Sequence, residues 1–212
     1  MTHSPPVPAF VPFEPTPRQR EILDHAFELV QQSGLAHLTL RKVAERVGFT
    51  EAAIYRHFPS KSALVDALVR TLGGRLLGPV RELAADRSRP PAERVERMVR
   101  HHVAVLRATG GLPIILVAEA LATGDEELML RMRSVMGAYL AVLSETVAEL
   151  GLPVGLPASL QALLFIGLPA ALGLQLRAFP AFAVSDAQSE ALVDYYVHAL
   201  TRPAPTSAED PS

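Results

Sequence analysis

Apolar residues recur along this chain at spacings of three and four, the period of one helix face, and capping residues and glycines separate the runs. Ile22, Leu23, Ala26, Phe27 and Val30 form the first stripe. Thr16-Pro17-Arg18-Gln19 opens it, since Thr16 can cap the Gln19 amide, Pro17 suits the first helical position and Gln19 completes a capping box. Gly34 ends it. Thr39 caps a second, short helix with Leu40, Val43, Ala44 and Val47 on its buried face, and Gly48 stops it after about two turns. Thr50 caps a third almost at once, which must end at Phe58 because Pro59 disfavours helical geometry in the residue before it. Ser60 caps a fourth through Ala63, Leu64 and Leu68 to about Leu77, where Gly73-Gly74 is expected to loosen or kink it.

Beyond Gly78-Pro79 the pattern predicts helices at about 91 to 108, 113 to 123, 125 to 150, 158 to 177 and 186 to 200. Pro91 and Pro113 suit helix starts, Asp125-Glu126-Glu127 puts acid in a first turn, and Ser185-Asp186-Ala187-Gln188 is a second capping box. The pattern is helical throughout, and the expected fold is all-α. The proline-rich residues 1–15 lack periodicity and are expected to be a disordered arm, with Phe10 and Phe13 able to dock on the body; residues 203–212 are expected to be a disordered tail.

Composition sharpens this picture. Of 212 residues 49% are hydrophobic but only 6% aromatic, so the core is built from Leu, Ala and Val, which suits helices. The absence of cysteine excludes a disulfide framework, a thiolate nucleophile and a thiolate metal site, and makes a reducing cytoplasm the simplest compartment. The first residues are also unlike a secretory signal. The net charge of −2 supplies no global attraction to phosphate, so any nucleic-acid site must be a local basic patch. One exists: Arg41, Lys42, Arg46, Arg56 and Lys61 stand against Glu45 and Glu51.

That patch coincides with two short helices joined through Gly48, the spacing of a helix-turn-helix. Ala44 lets the helices approach, Gly48 supplies the positive φ of the turn, and Ile54 pins the third helix to the core. Glu51, Ala52, Tyr55 and Arg56 are then left facing outward.

The run from Leu38 to Lys61, with its Tyr55-x-His57-Phe58 ending and the following Lys61-x-x-Leu64, resembles the head of the TetR family of transcriptional regulators. The resemblance covers residues 17–70, and the body matches only in length and helical character. It implies a three-helix helix-turn-helix DNA-binding head over residues 16–70 and a larger helical ligand-binding and dimerisation body over 71–202. It makes Thr50, Glu51, Ala52, Ala53 and Arg56 groove-facing, and places Thr39, Tyr55, His57 and Lys61 at phosphate-contacting positions, with Arg41 beside them in the patch. It also places the last two helices in a four-helix dimer bundle. The chemistry agrees, because capped helix N-termini, a phenol and an ammonium each bond phosphate oxygens, while Glu51 can accept from cytosine. The expected function is repression, released from an inverted-repeat operator by a small ligand, in a cytoplasmic homodimer that is not an enzyme and needs no cofactor or metal.

Other features carry less. Adjacent His101 and His102 point about 100° apart on a helix and are poorly placed to share one ion. Residues 73–78 lack the order of a dinucleotide loop, and no nucleophile elbow or Walker lysine is present. Residues 150–176 hold no charge and are long enough to span a bilayer, but Pro153, Pro157 and Pro169 interrupt them, and a buried dimer-interface helix explains them better. A membrane-anchored protein and a helical ligand carrier or enzyme are the alternatives. Met98, His102, Leu116, Met132, Met136, Tyr139 and Phe165 are candidate pocket residues, and the scarcity of charge near them points to an apolar or amphipathic effector.

Overall fold

A computed structural model describes residues 8–152, 155–182 and 184–201. Nine α-helices and no strand are found among them: α1 Pro17–Ser33, α2 Leu40–Val47, α3 Glu51–His57, α4 Lys61–Ala85, α5 Pro91–Ala108, α6 Leu112–Thr123, α7 Glu126–Ala148, α8 Ala158–Ala178 and α9 Asp186–Thr201. A single 3-10 turn at Leu35–His37 joins α1 to α2.

The local signals act as their chemistry requires. Thr16 accepts from the Gln19 amide while Gln19 returns the bond to the Thr16 amide. Thr39, Thr50, Ser60 and Asp125 cap α2, α3, α4 and α7 through the amides of Lys42, Ala53, Ala63 and Leu128. Gly48 takes φ 78° and ψ 29°, a left-handed turn that lets α3 leave α2 at once.

Helix α4 departs from the sequence expectation. It runs unbroken through Gly73-Gly74 and Gly78-Pro79 to Ala85, so one helix starts in the head and continues through the body. Proline lacks the amide that would bond the carbonyl four residues back. That carbonyl belongs to Arg75, and His101 Nε2 on α5 lies 2.9 Å from it, placed to donate in its stead. The proline is therefore accommodated by a residue from another helix.

In the described part of the arm, Phe10 and Phe13 dock on the core, as the sequence allows. Residues 8–15 have no regular structure yet lie docked across α4 and α7: Ser134 donates to the Pro8 carbonyl at 2.9 Å, and Arg70 to those of Val11 at 2.9 Å and Pro12 at 3.1 Å. Residues 1–7 and the expected tail at 203–212 lie outside the described residues.

In the body, α4 and α5 pack on α7, α8 packs on α5 and α7, and α9 on α5 and α8. One hydrophobic core is continuous from Ile22 to Val197, so head and body share it, and the expected division at residue 70 falls inside α4. Arg94, only 2% exposed, bonds the Ala84 carbonyl at 2.7 Å and pairs with Glu149, pinning the end of α4 to the segment following α7.

Candidate nucleic-acid interface and effector pocket

In the head, α1, α2 and α3 close around Ile22, Leu23, Ala26, Val43, Ala44 and Ile54. Ile54 is wholly buried, and at the C-cap of α3 Phe58 is 3% exposed. With those two inward, Thr50, Glu51, Ala52, Tyr55 and Arg56 are exposed, and Ala53 and His57 are intermediate. Tyr55 keeps 48% of its surface in solvent although its body is apolar. A seven-residue helix that contributes one fully buried side chain to the core has its remaining surface available for recognition.

Thr39, Arg41 and Lys61 are exposed on neighbouring elements. Arg41 is paired with Glu45 at 2.9 Å and Arg46 with Glu28 at 3.2 Å, so part of the basic patch is internally neutralised. Among the described residues Lys42, Arg56 and Lys61 form no ion pair and carry its net charge. Lys61 donates to the Leu35 carbonyl at 2.8 Å, which fixes its position and leaves two N–H groups. Thr39 and Thr50 use a lone pair as caps and keep their hydroxyl protons for an acceptor such as a phosphate oxygen.

The body contains a small, partly open cavity of about 50 Å³. Its wall is three stripes at helical spacing: Val69, Leu72, Gly73 and Leu76 of α4; His102, Val105 and Leu106 of α5; and Met132, Val135 and Met136 of α7, closed by Pro113. Of the sequence candidates, His102, Met132 and Met136 line this space. Met98, Leu116, Tyr139 and Phe165 are buried core residues outside the lining. The α4 stripe and Val105, Leu106, Pro113 and Val135 were missed, because an apolar residue on a cavity wall repeats with the same period as one in solid packing.

Two polar groups in this region lack partners. The ring of His102 meets Tyr139 edge-on at 4.8 Å, and neither His102 Nδ1 nor the Tyr139 hydroxyl makes a hydrogen bond within the protein. His102 is 6% exposed and Tyr139 fully buried. Burial, with a smaller contribution from neighbouring His101, lowers the His102 pKa to about 4, so its ring is neutral at physiological pH. Burial likewise raises the pKa of the Tyr139 phenol. Buried polar atoms without partners are uncommon, and His102, the one polar side chain on this otherwise apolar lining, can receive a ligand's polar group.

Head and body meet through specific bonds as well as through α4. Gln31 Nε2 donates to the Thr109 carbonyl at 2.6 Å, Arg177 to the Gln31 carbonyl at 3.2 Å, and the Leu35 amide to Glu119 at 3.0 Å. Arg131 on α7 pairs with Asp66 on α4 at 3.1 Å. Leu160, Leu163, Leu164 and Leu174 of α8 and Leu192 and Tyr195 of α9 are exposed. Helix α8 is, among the described residues, the one single helix long and apolar enough to cross a membrane; a third of its most apolar stretch is buried here.

An exposed, capped second helix of a helix-turn-helix, set on a helical body with a small apolar cavity, defines a class of DNA-binding regulators. Residues 22–68 match the model of the bacterial regulatory proteins of the tetR family. The nucleoid occlusion factor SlmA of Marinomonas sp. (strain MWYL1) is 30% identical over 139 residues, which span 66% of this chain and 70% of that protein. The chain belongs to the TetR family. It spans 57–60% of the length of SlmA proteins from Aliivibrio fischeri and several Vibrio species. The fold extends over most of the chain. The regulator FadR from Bacillus subtilis, in complex with stearoyl-CoA, superposes with a TM-score of 0.71 at 17% identity over 88% of this chain and 99% of that one. AibR in complex with isovaleryl coenzyme A and operator DNA gives 0.70 at 21% identity, over 88% and 100%.

Proposed function

We propose that this chain is a homodimeric, cytoplasmic transcriptional repressor that holds an inverted-repeat operator and is released by a small apolar or amphipathic ligand. The observation that carries the reading is the exposed face of α3, where Glu51, Ala52, Tyr55 and Arg56 stand outward on a helix anchored by Ile54. Thr50, Glu51, Ala52, Ala53 and Arg56 enter the major groove, while Thr39, Arg41, Tyr55, His57 and Lys61 grip the flanking phosphates. The apolar stripe on α8 and α9 is the dimer face, since a patch of this kind marks an interaction site and a two-fold dimer offers one α3 to each half-site. This use of α8 replaces a membrane anchor. The cavity beside His102 and Tyr139 supports the ligand step, as do the coenzyme A thioesters bound by structurally similar regulators. The function needs no catalytic chemistry, metal or cofactor.

Incubating the pure protein with fragmented genomic DNA and sequencing what it retains tests this directly. An inverted repeat with half-sites one helical turn apart, or a multiple of it, is expected. Retention of direct repeats, or of fragments without a common sequence, contradicts it. Identity with nucleoid occlusion factors favours a second reading, in which DNA binding serves nucleoid occlusion. Under that reading the selected sites do not concentrate upstream of genes.

A further inference from the structure

The cavity is too small for the ligand it is read to accept. At about 50 Å³ it holds a few waters, whereas small-molecule sites commonly reach roughly 300–1,000 Å³. Most of its wall is helix, embedded in the core on its far side. The exception lies at Gly73, where the wall has no side chain and the ring of Phe10 takes its place: a Cβ on Gly73 would stand 2.6 Å from Phe10 Cε2. Phe10 belongs to the arm, whose residues 8–11 form one wall of a groove of about 290 Å³ against α4 and α7. Val69 and Val135 line both the groove and the cavity, so these two side chains and Gly73 form the partition, with Phe10 packed on its groove side and Val135 Cγ2 2.8 Å from where a Gly73 Cβ would stand. The arm is held by the bonds from Ser134 and Arg70 to its carbonyls and by the packing of Phe10 and Phe13 on the core.

We infer that Phe10, packed against the Gly73 wall, fills space that the effector site needs and is displaced when an apolar molecule carrying one uncharged hydrogen-bonding group reaches His102. This rests on the ligand-released reading above. The cavity is lined by no charged side chain, so an anionic group there would be buried without a counter-ion. A hydroxyl or amide can instead satisfy the unpartnered His102 Nδ1. The same arm reaches the head: Arg70 lies over the Phe13 ring at 5.5 Å, and Phe13 meets Phe58, the C-cap of the recognition helix, at 6.4 Å. Displacing Phe10 therefore loosens the support behind α3.

The test uses N-phenyl-1-naphthylamine, an uncharged dye with one N–H, and its charged relative 8-anilino-1-naphthalenesulfonate, each titrated by fluorescence into the full chain. Phe10→Ala removes the ring and should tighten the neutral dye about tenfold, since less binding energy is spent on opening the site. Ser134→Ala keeps Phe10 and removes one clip on the arm, and should shift affinity the same way by about threefold. The sulfonate should gain from neither change. Unchanged affinity for the neutral dye in both variants, or an equal gain by the sulfonate, overturns the inference. A dye that binds tighter to Phe10→Ala but leaves DNA affinity untouched upholds the Phe10 site and counts against ligand release. A small molecule that releases DNA while neither variant alters dye affinity does the reverse.

Discussion

The two stretches of α4 serve regions built on opposite principles. Its first turn, at Lys61, abuts a head where polar residues face solvent and one apolar residue, Ile54, anchors the recognition helix. Two turns on, Val69 to Leu76 face a cavity whose one polar lining residue, His102, is buried and has no partner for its Nδ1. The head's exposed groups are stable without DNA because water satisfies them. The groups beside the cavity have no such substitute, so their burial lowers stability, and a ligand's polar atom can recover what was lost. Recognition surfaces of the first kind tolerate polar substitution in the free protein, whereas those of the second kind improve its stability when made apolar.

The largest effects should come from the residues that hold each region. Ile54→Ala empties the anchor of α3 and should destabilise the protein by about 3 kcal/mol, read from urea unfolding. An effect below about 1 kcal/mol would mean that α3 is held by something other than Ile54. In the body, His102 stays neutral when folded down to about pH 4 but protonates in the unfolded chain below its ordinary value of 6.5. Between those values the unfolded state binds more protons, so stability should fall as pH drops from 6.5 towards 4, by up to about 3 kcal/mol, and then level off with respect to this residue. His102→Phe should flatten that slope, and an identical pH profile in the variant would remove His102 as its cause.

Smaller effects separate the roles within the head. Arg56→Ala should cost about 1–3 kcal/mol on the preferred operator and relax the preference at one base pair, whereas Lys61→Ala should weaken all sequences alike and reduce the salt slope by about one. Competition titrations at two salt concentrations distinguish these outcomes, and equal loss of preference from both changes would refute the division of labour. The smallest change sharpens the contrast most. Tyr139→Phe removes a buried hydroxyl that has no partner and should leave the free protein as stable, or more stable by about 1 kcal/mol. A clear loss of stability would show that the hydroxyl is already satisfied.

The head was legible in the sequence because its determinants are local. The Thr16, Thr39, Thr50 and Ser60 caps and Gly48 act within a few residues of where they stand, so each short helix announced its own limits. The body was less legible because its determinants come from a distance. Gly78-Pro79 reads as a boundary until His101, from another helix, is seen beside the carbonyl that the proline leaves free. Gly73 reads as a hinge, but its missing side chain makes room for Phe10, sixty-three positions earlier, within a continuous helix. The cavity candidates were divided for the same reason: Met132 and Met136 reach it while Met98 and Leu116 do not, and a stripe of apolar residues does not record which neighbour falls short of filling the space.

The central claim is that the exposed face of α3 reads a particular DNA sequence as one half of a symmetric pair. Fluorescence anisotropy of the selected inverted repeat, against a scrambled duplex of the same length and composition at physiological salt, tests it most directly. The account predicts two chains per duplex and a preference for the repeat of about a thousandfold or more. Equal affinity for the two duplexes would contradict it.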